Sequence, residues 1–216
     1  MPETDNDATA KPLRGRRRDP ARYQRILEAA SRNFSAHGLE RASVDAIAAE
    51  AGVSKMTIYS HFASKEGLFA AVVRDRAVRI VGGLAGVEGF DPKQPRKALL
   101  AIGAQFLTLA REDEALGQIR SVYGAAGAQP EVCRAFYREG PDRLIGELAA
   151  YLRRADRAGT LNVRHPRRAA DLFLSMFLGG GFIRGLLFLD MPDARENRAL
   201  LREAVRVFMA AYAEVA

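Results

Sequence analysis

The chain has a single cysteine, Cys133, in 216 residues. One thiol makes neither an intramolecular disulfide nor a multi-cysteine zinc site, so stability must come from packing, and a reducing compartment fits. Histidine is also scarce. His37, His61 and His165 are scattered without metal-ligand spacing, and Cys133 has no evident base partner. Neither a Walker loop nor a Gly-x-Ser-x-Gly elbow occurs. These absences argue against an enzyme, a bound metal and a cofactor. Pro2–Ala10 is polar and acidic, which argues against a secretory leader. The longest apolar stretch, Leu172–Ile183, stops at Arg184, short of the ~18–20 residues that span a bilayer. A cytoplasmic protein with no membrane partner is expected.

What is present is ordinary for a globular chain: 48% apolar and 27% charged residues, far from the signature of disorder. The length suits one large domain, or a small and a larger one sharing a core. The formal net charge of +7 is unevenly placed. Residues 1–10 carry −3, residues 11–65 carry +6 and residues 66–216 carry +4. A basic first quarter suits a polyanion, although a well-solvated surface carries the same excess.

Apolar residues recur at helical spacing throughout, and no alternating run is bounded by hairpin turns, which predicts an all-α fold of about nine helices. Asp19-Pro20 opens the first as N-cap and first-turn proline, Tyr23, Ile26, Leu27, Ala30 and Phe34 form its apolar stripe, and His37-Gly38 ends it. Ser43 caps a second helix, about Val44 to Ala51, with Asp45 in its first turn. Gly52-Val53 is a turn; Ser54 caps a short third helix to about His61, and Ser64 caps a fourth from Lys65 to about Gly82. After the glycine-bearing stretch Gly82–Gly89, helices are expected over 94–111, 112–127, 130–158, 166–189 and 193–215. Pro141 should kink or break the 130–158 helix. Residues 1–18 lack apolar periodicity and read as a flexible basic arm.

The segment Ser43–Phe62 fits a helix-turn-helix, which needs two short helices near right angles, a turn too tight for a side chain and an apolar lock. Gly52 supplies the turn; Val44, Ile47, Ala48, Val53, Ile58 and Phe62 supply the lock. Lys55, Met56, Thr57, Tyr59, Ser60 and His61 then point outward from the third helix. That surface is short, polar and nearly free of acids, so it suits a major groove. Three divisions follow: arm 1–18, helix-turn-helix domain 19–65 and a helical domain 66–216.

The run from Ala42 to Phe69, with Ala51-Gly-Val-Ser54, Ile58-Tyr-x-x-Phe62 and Ser64-Lys-Glu66 within it, resembles the DNA-binding signature of TetR-family transcription regulators. The resemblance covers about residues 20–70, including Phe34 and His37-Gly38. It implies that Ser43 and Tyr59 touch phosphate, that Lys55, Met56 and Thr57 reach base edges, and that His61 and Lys65 lie beside phosphate. Ser43 and Ser54 also suit plain N-capping, and Tyr59 and His61 could serve packing or surface roles alone. Arg16, Arg17 and Arg18, on the arm, could reach an adjacent minor groove or simply solubilise the tail.

One such helix reads few base pairs, so specificity calls for a homodimer on a near-palindromic operator in double-stranded DNA. The resemblance puts the interface on the last two long helices, giving Phe173, Phe177, Ile183, Leu187, Leu200, Val207, Phe208 and Tyr212 as candidates against a core-filling alternative. It also implies a pocket among the middle helices for a small apolar or amphipathic effector. Phe106, Tyr123, Phe136, Tyr137 and Met176 are candidate lining residues, with plain core as the alternative. The functional expectation is a repressor released from its operator by a small molecule. A DNA-binding regulator without an effector shares every residue of the reading head.

Overall fold

The computed structural model describes residues 19–82 and 89–213, so the arm with Arg16, Arg17 and Arg18 lies outside the described residues. Twelve helical segments succeed one another, and no strand occurs among the described residues. The helices are α1 (Pro20–Arg41), α2 (Val44–Ala51), α3 (Lys55–His61), α4 (Lys65–Gly82), α5 (Pro95–Ala110) and α6 (Asp113–Ala125). Next come α7 (Pro130–Tyr137), a π-helical turn (Arg138–Asp142), α8 (Arg143–Arg157), α9 (Pro166–Ser175), α10 (Gly180–Leu186) and α11 (Ala194–Tyr212).

The expected start signals operate as their chemistry requires. Asp19 accepts from the Ala21 amide at 3.0 Å, with Pro20 in the first turn of α1. Asp193 and Glu196 form a reciprocal capping box on α11. Gly38 takes φ +73, interrupting α1 where its regular part was expected to end, and three further residues carry buried Leu39 into the core.

Two expected helices are subdivided, each for a local reason. In the 130–158 segment, Pro141 lacks an amide hydrogen and its ring crowds the carbonyl one turn earlier. The chain widens into the π-helical turn there and continues with helical angles at Arg143, so the axis is not lost. In the 166–189 segment, glycines favour the helix poorly, and Gly179 is extended (φ −80, ψ −153). α9 and α10 consequently meet at 63°. A Cβ on Gly185 would stand 2.8 Å from Leu116 Cδ1 of α6, so this glycine permits close helix approach. Among the described residues no single helix is long and apolar enough to cross a membrane.

Two apolar clusters hold the fold. One joins α5, α8, α9 and α11 around Leu99, Leu148, Tyr151, Leu152, Phe173 and Phe208. The other joins α1 to α4 around Ile26, Phe34, Ile47, Ile58 and Phe69, and it takes in Val122 of α6 and Val132 of α7. The first four helices therefore share their core with the domain behind them. That contact is close: a Cβ on Gly117 of α6 would lie 2.2 Å from Ser35 Oγ and 2.8 Å from the Ser35 carbonyl oxygen of α1.

Candidate nucleic-acid interface

Gly52 builds the turn. It sits at φ +66, ψ +40, the left-handed region that costs a side-chain-bearing residue energy, and its amide reaches the carbonyls of Ala48 and Ala49. Val53 N donates to Ala48 O at 2.9 Å, which completes the reversal between α2 and α3. Ile47, Ala48, Ile58 and Phe62 are buried beneath it. Tyr23 of α1 stacks on Phe62 at 5.3 Å, and Asn33 Oδ1 accepts from the Ser43 amide at 3.1 Å. The pair is thereby fixed to α1, with its other side outward.

The outward side carries the expected residues. Ser43, Ser54, Lys55, Met56, Tyr59 and Ser60 are exposed, Met56 at 75%, while Thr57 and His61 are half-buried. Capping shapes this surface. Ser43 Oγ accepts from Ala46 N at 3.3 Å, and Ser54 Oγ accepts from Thr57 N at 3.1 Å while lying 2.8 Å from the Thr57 hydroxyl. Ser60 Oγ donates back to Thr57 O at 2.7 Å. His61 meets the Tyr23 ring edge-on at 5.8 Å.

Two cations have partners that spacing alone did not reveal. Lys55 Nζ lies 2.9 Å from Asp45 Oδ2, and this hydrogen bond and charge hold its ammonium above the ordinary lysine range. Lys65 Nζ donates to the Glu40 carbonyl at 2.8 Å and to that of Ala42 at 3.4 Å, tying α4 to the end of α1. The i to i+10 separation of Asp45 and Lys55 crosses the turn, so only its geometry brings them together.

Behind the head, a cavity of about 200 Å³ opens among α4 to α10. Phe106, Tyr123 and Phe136 line it, as expected, and Phe182 joins them. Tyr137 and Met176 do not, which corrects that expectation. Each follows a lining residue, Phe136 or Ser175, and one helical step of about 100° turns the next side chain away. Tyr137 is exposed, and Met176 packs on the core of the rear domain.

The cavity's buried polar residues, Arg76 of α4 and Gln118 of α6, were not singled out by sequence. Arg76 Nη2 reaches Glu114 Oε2 at 3.2 Å and Nη1 reaches Glu112 Oε2 at 3.4 Å. Both residues contact Ser31 of α1. A buried charge persists where it is paired and hydrogen-bonded, and this node meets that requirement.

Three residues expected at a dimer interface belong to the core instead. Phe173 and Phe208 are 0% exposed and Phe177 2%; their rings pack edge-to-face, with Phe173 5.3 Å from Phe177 and 5.2 Å from Phe208. Side chains so enclosed have no surface to offer a second copy. Leu200 and Tyr212 pack partly on the same core. Ile183, Leu187 and Val207 are exposed, and they are joined by Leu178, Leu189 and Phe188, the last 80% exposed with Arg120 stacked 3.9 Å from its ring centroid.

Comparison with known proteins agrees with this geometry. Residues 26–72 match the family of bacterial regulatory proteins of the tetR family, and residues 97–214 match the C-terminal domain of AefR-like transcriptional repressors. The HTH-type transcriptional regulatory protein RaaS of Mycobacterium tuberculosis is 33% identical over 189 residues, covering 87% of this chain and 79% of that protein. The repressor AcnR of Corynebacterium diphtheriae is 44% identical over 59 residues, but these are 27% of this chain and 31% of AcnR. Among solved structures, the flavonoid-responsive regulator FrrA superposes with a TM-score of 0.67 at 28% identity, covering 92% of this chain and 100% of FrrA. With both halves matched in order around a formed helix-turn-helix, the chain belongs to the TetR family of DNA-binding transcription regulators and is not an enzyme.

Proposed function

We propose that the chain is a ligand-responsive repressor that binds a near-palindromic operator as a homodimer in the cytoplasm and leaves it when a small molecule occupies the cavity. The observation that carries the DNA half is the outward surface of α3, where Lys55, Met56 and Tyr59 stand exposed on a helix locked from beneath by Ile58 and Phe62. Lys55, Met56 and Thr57 would address base edges, and Ser43, Tyr59 and His61 the backbone. On DNA, Lys55 would exchange Asp45 for a phosphate or a base.

The dimer reading is supported by the exposed apolar residues Ile183, Leu187, Phe188 and Leu189 at the end of α10, and by Val207 exposed on α11, since exposed apolar surface of this kind marks association sites. Two heads about one helical turn apart, roughly 34–36 Å, would then meet two half-sites. The effector reading is supported by the cavity and by FrrA, described as flavonoid-responsive. Occupancy would favour a dimer whose heads are spaced wrongly for the operator.

Selection from random duplexes, followed by titration of the selected site with and without a panel of small aromatic and aliphatic compounds, tests the reading. A palindromic consensus bound by a dimer, and at least one compound that lowers its affinity, is the expected result. A chain that ignores all duplexes at low salt overturns it. Light scattering on Ile183→Asp/Leu187→Asp, expected to yield monomers, checks the dimer face separately.

A further inference from the structure

Ser31 Oγ is the centre of a node where α1, α4 and α6 meet. A hydroxyl has one proton, and this one lies 2.7 Å from Glu114 Oε2, an oxygen that only accepts when ionised. The proton is therefore committed to Glu114, and Ser31 receives Gln118 Nε2 at 3.0 Å and Arg76 Nη2 at 3.5 Å. This fixes the Gln118 carboxamide with its nitrogen toward Ser31 and its oxygen away. Gln118 is 2% exposed and lines the cavity, yet its Oε1 accepts no hydrogen bond from any described residue. Left without a protein donor at the cavity wall, this acceptor is available to a donor on a bound molecule.

The surroundings narrow what that molecule is. Phe106, Phe136, Phe182 and Tyr123 offer ring faces and edges, which suits an aromatic ligand. About 200 Å³ is below the roughly 300–1,000 Å³ of sites for drug-sized compounds, so one or two rings fit. A carboxylate brought to Arg76 would meet Glu112 and Glu114 already on that guanidinium, and Asp171 adds another acid to the lining. A cation would lose its hydration in a mainly apolar space.

Resting on the effector-responsive reading above, we propose that the effector is a small uncharged hydroxyaromatic whose O–H donates to Gln118 Oε1. Because Gln118 Nε2 holds Ser31, the ligand's anchor stands one hydrogen bond from α1, giving occupancy a direct route to the DNA-reading helices.

Calorimetric titration of the full chain with 2-naphthol and with 2-methoxynaphthalene, which keeps the rings and loses the donor, tests this. The chain has no tryptophan, so naphthol fluorescence gives a second readout. The wild type should prefer 2-naphthol by roughly five- to tenfold, the worth of one good neutral hydrogen bond. Gln118→Met should bring the two within about twofold while 2-methoxynaphthalene still binds as to wild type. Equal wild-type affinities, or a preference surviving in Gln118→Met, overturn the anchor. In that case the effector-responsive reading still stands if either compound lowers operator affinity. Failure of both to bind overturns the anchor and removes this cavity from the effector reading too.

Discussion

Ser31 of α1 donates to Glu114 of α6 at 2.7 Å across 83 residues of sequence, joining the helix that backs the DNA-reading pair to a helix lining the cavity. Ser31→Ala removes that bond and strands the Gln118 amide, which should cost about 1–2 kcal/mol. In a chain of this length the melting temperature should fall by about 2–8 °C. Calorimetry reads the shift, and an unchanged melting temperature would show that the node adds nothing to stability.

Lys55 and Asp45 are exposed and paired at 2.9 Å, so their removal should leave the melting temperature alone and act on DNA binding. Lys55→Ala should weaken operator affinity and lower the magnitude of the log K against log salt slope by about one. Asp45→Asn should do the opposite to affinity, since it frees Lys55 and deletes a repelling charge. Deleting residues 1–18, with Arg16, Arg17 and Arg18, should also flatten the slope. A slope unmoved by that deletion excludes phosphate contacts from the arm.

Gly52 and Gly117 forbid a side chain for different reasons. Nothing stands within 4 Å of a Cβ at Gly52, so Gly52→Ala carries only left-handed backbone strain, about 1–2 kcal/mol. At Gly117 the added carbon collides with Ser35, backbone included, and must push α1 from α6. Overpacking of this kind costs about 1–3 kcal/mol and shifts what lies on either side. Gly117→Ala should therefore impair operator binding more than Gly52→Ala at matched stability. Anisotropy titrations on both variants decide it; equal losses contradict the packing account.

Burial pushes the Tyr151 phenol from an ordinary value of 10.0 up to about 12. The folded state thus keeps a proton that the unfolded chain releases near pH 10. This contribution is complete below pH 10 and is lost as pH rises from 10 to 12, by on the order of 2 kcal/mol in all. Tyr151→Phe should lack that fall. Urea unfolding of both proteins at pH 8, 10 and 11.5 gives the difference curve, and parallel curves would refute it.

Local chemistry made the reading head legible. Asp19-Pro20, Ser43, Gly52 and Ser54 are start and stop signals that act within four residues, so the start of α1, the limits of α2 and the start of α3 follow from them, whereas α1 runs past Gly38 to Arg41. Pro141 announced its disturbance, though its resolution as a π-helical turn depended on continued packing of α7 and α8. In the 166–189 segment the extended backbone at Gly179 bends the chain and divides what periodicity joins. Periodicity also marks which face of a helix is apolar without saying what covers it. Phe173, Phe177 and Phe208 therefore read equally well as interface or core. Arg76, Gln118 and Ser31 are ordinary residues in sequence, and only the tertiary meeting of three helices gives them a common purpose.

Val122 and Val132 lie far down the chain, yet they complete the apolar cluster under the first four helices. The reading head is in this sense a tenant of the rear domain. A chimera that transplants residues 19–65 alone would strip Phe34 of the Phe69 ring 5.3 Å away and leave the buried face of α1 against a foreign neighbour. Exchanges of operator specificity between relatives should succeed only where the donor's matching faces of α6 and α7 travel with the head.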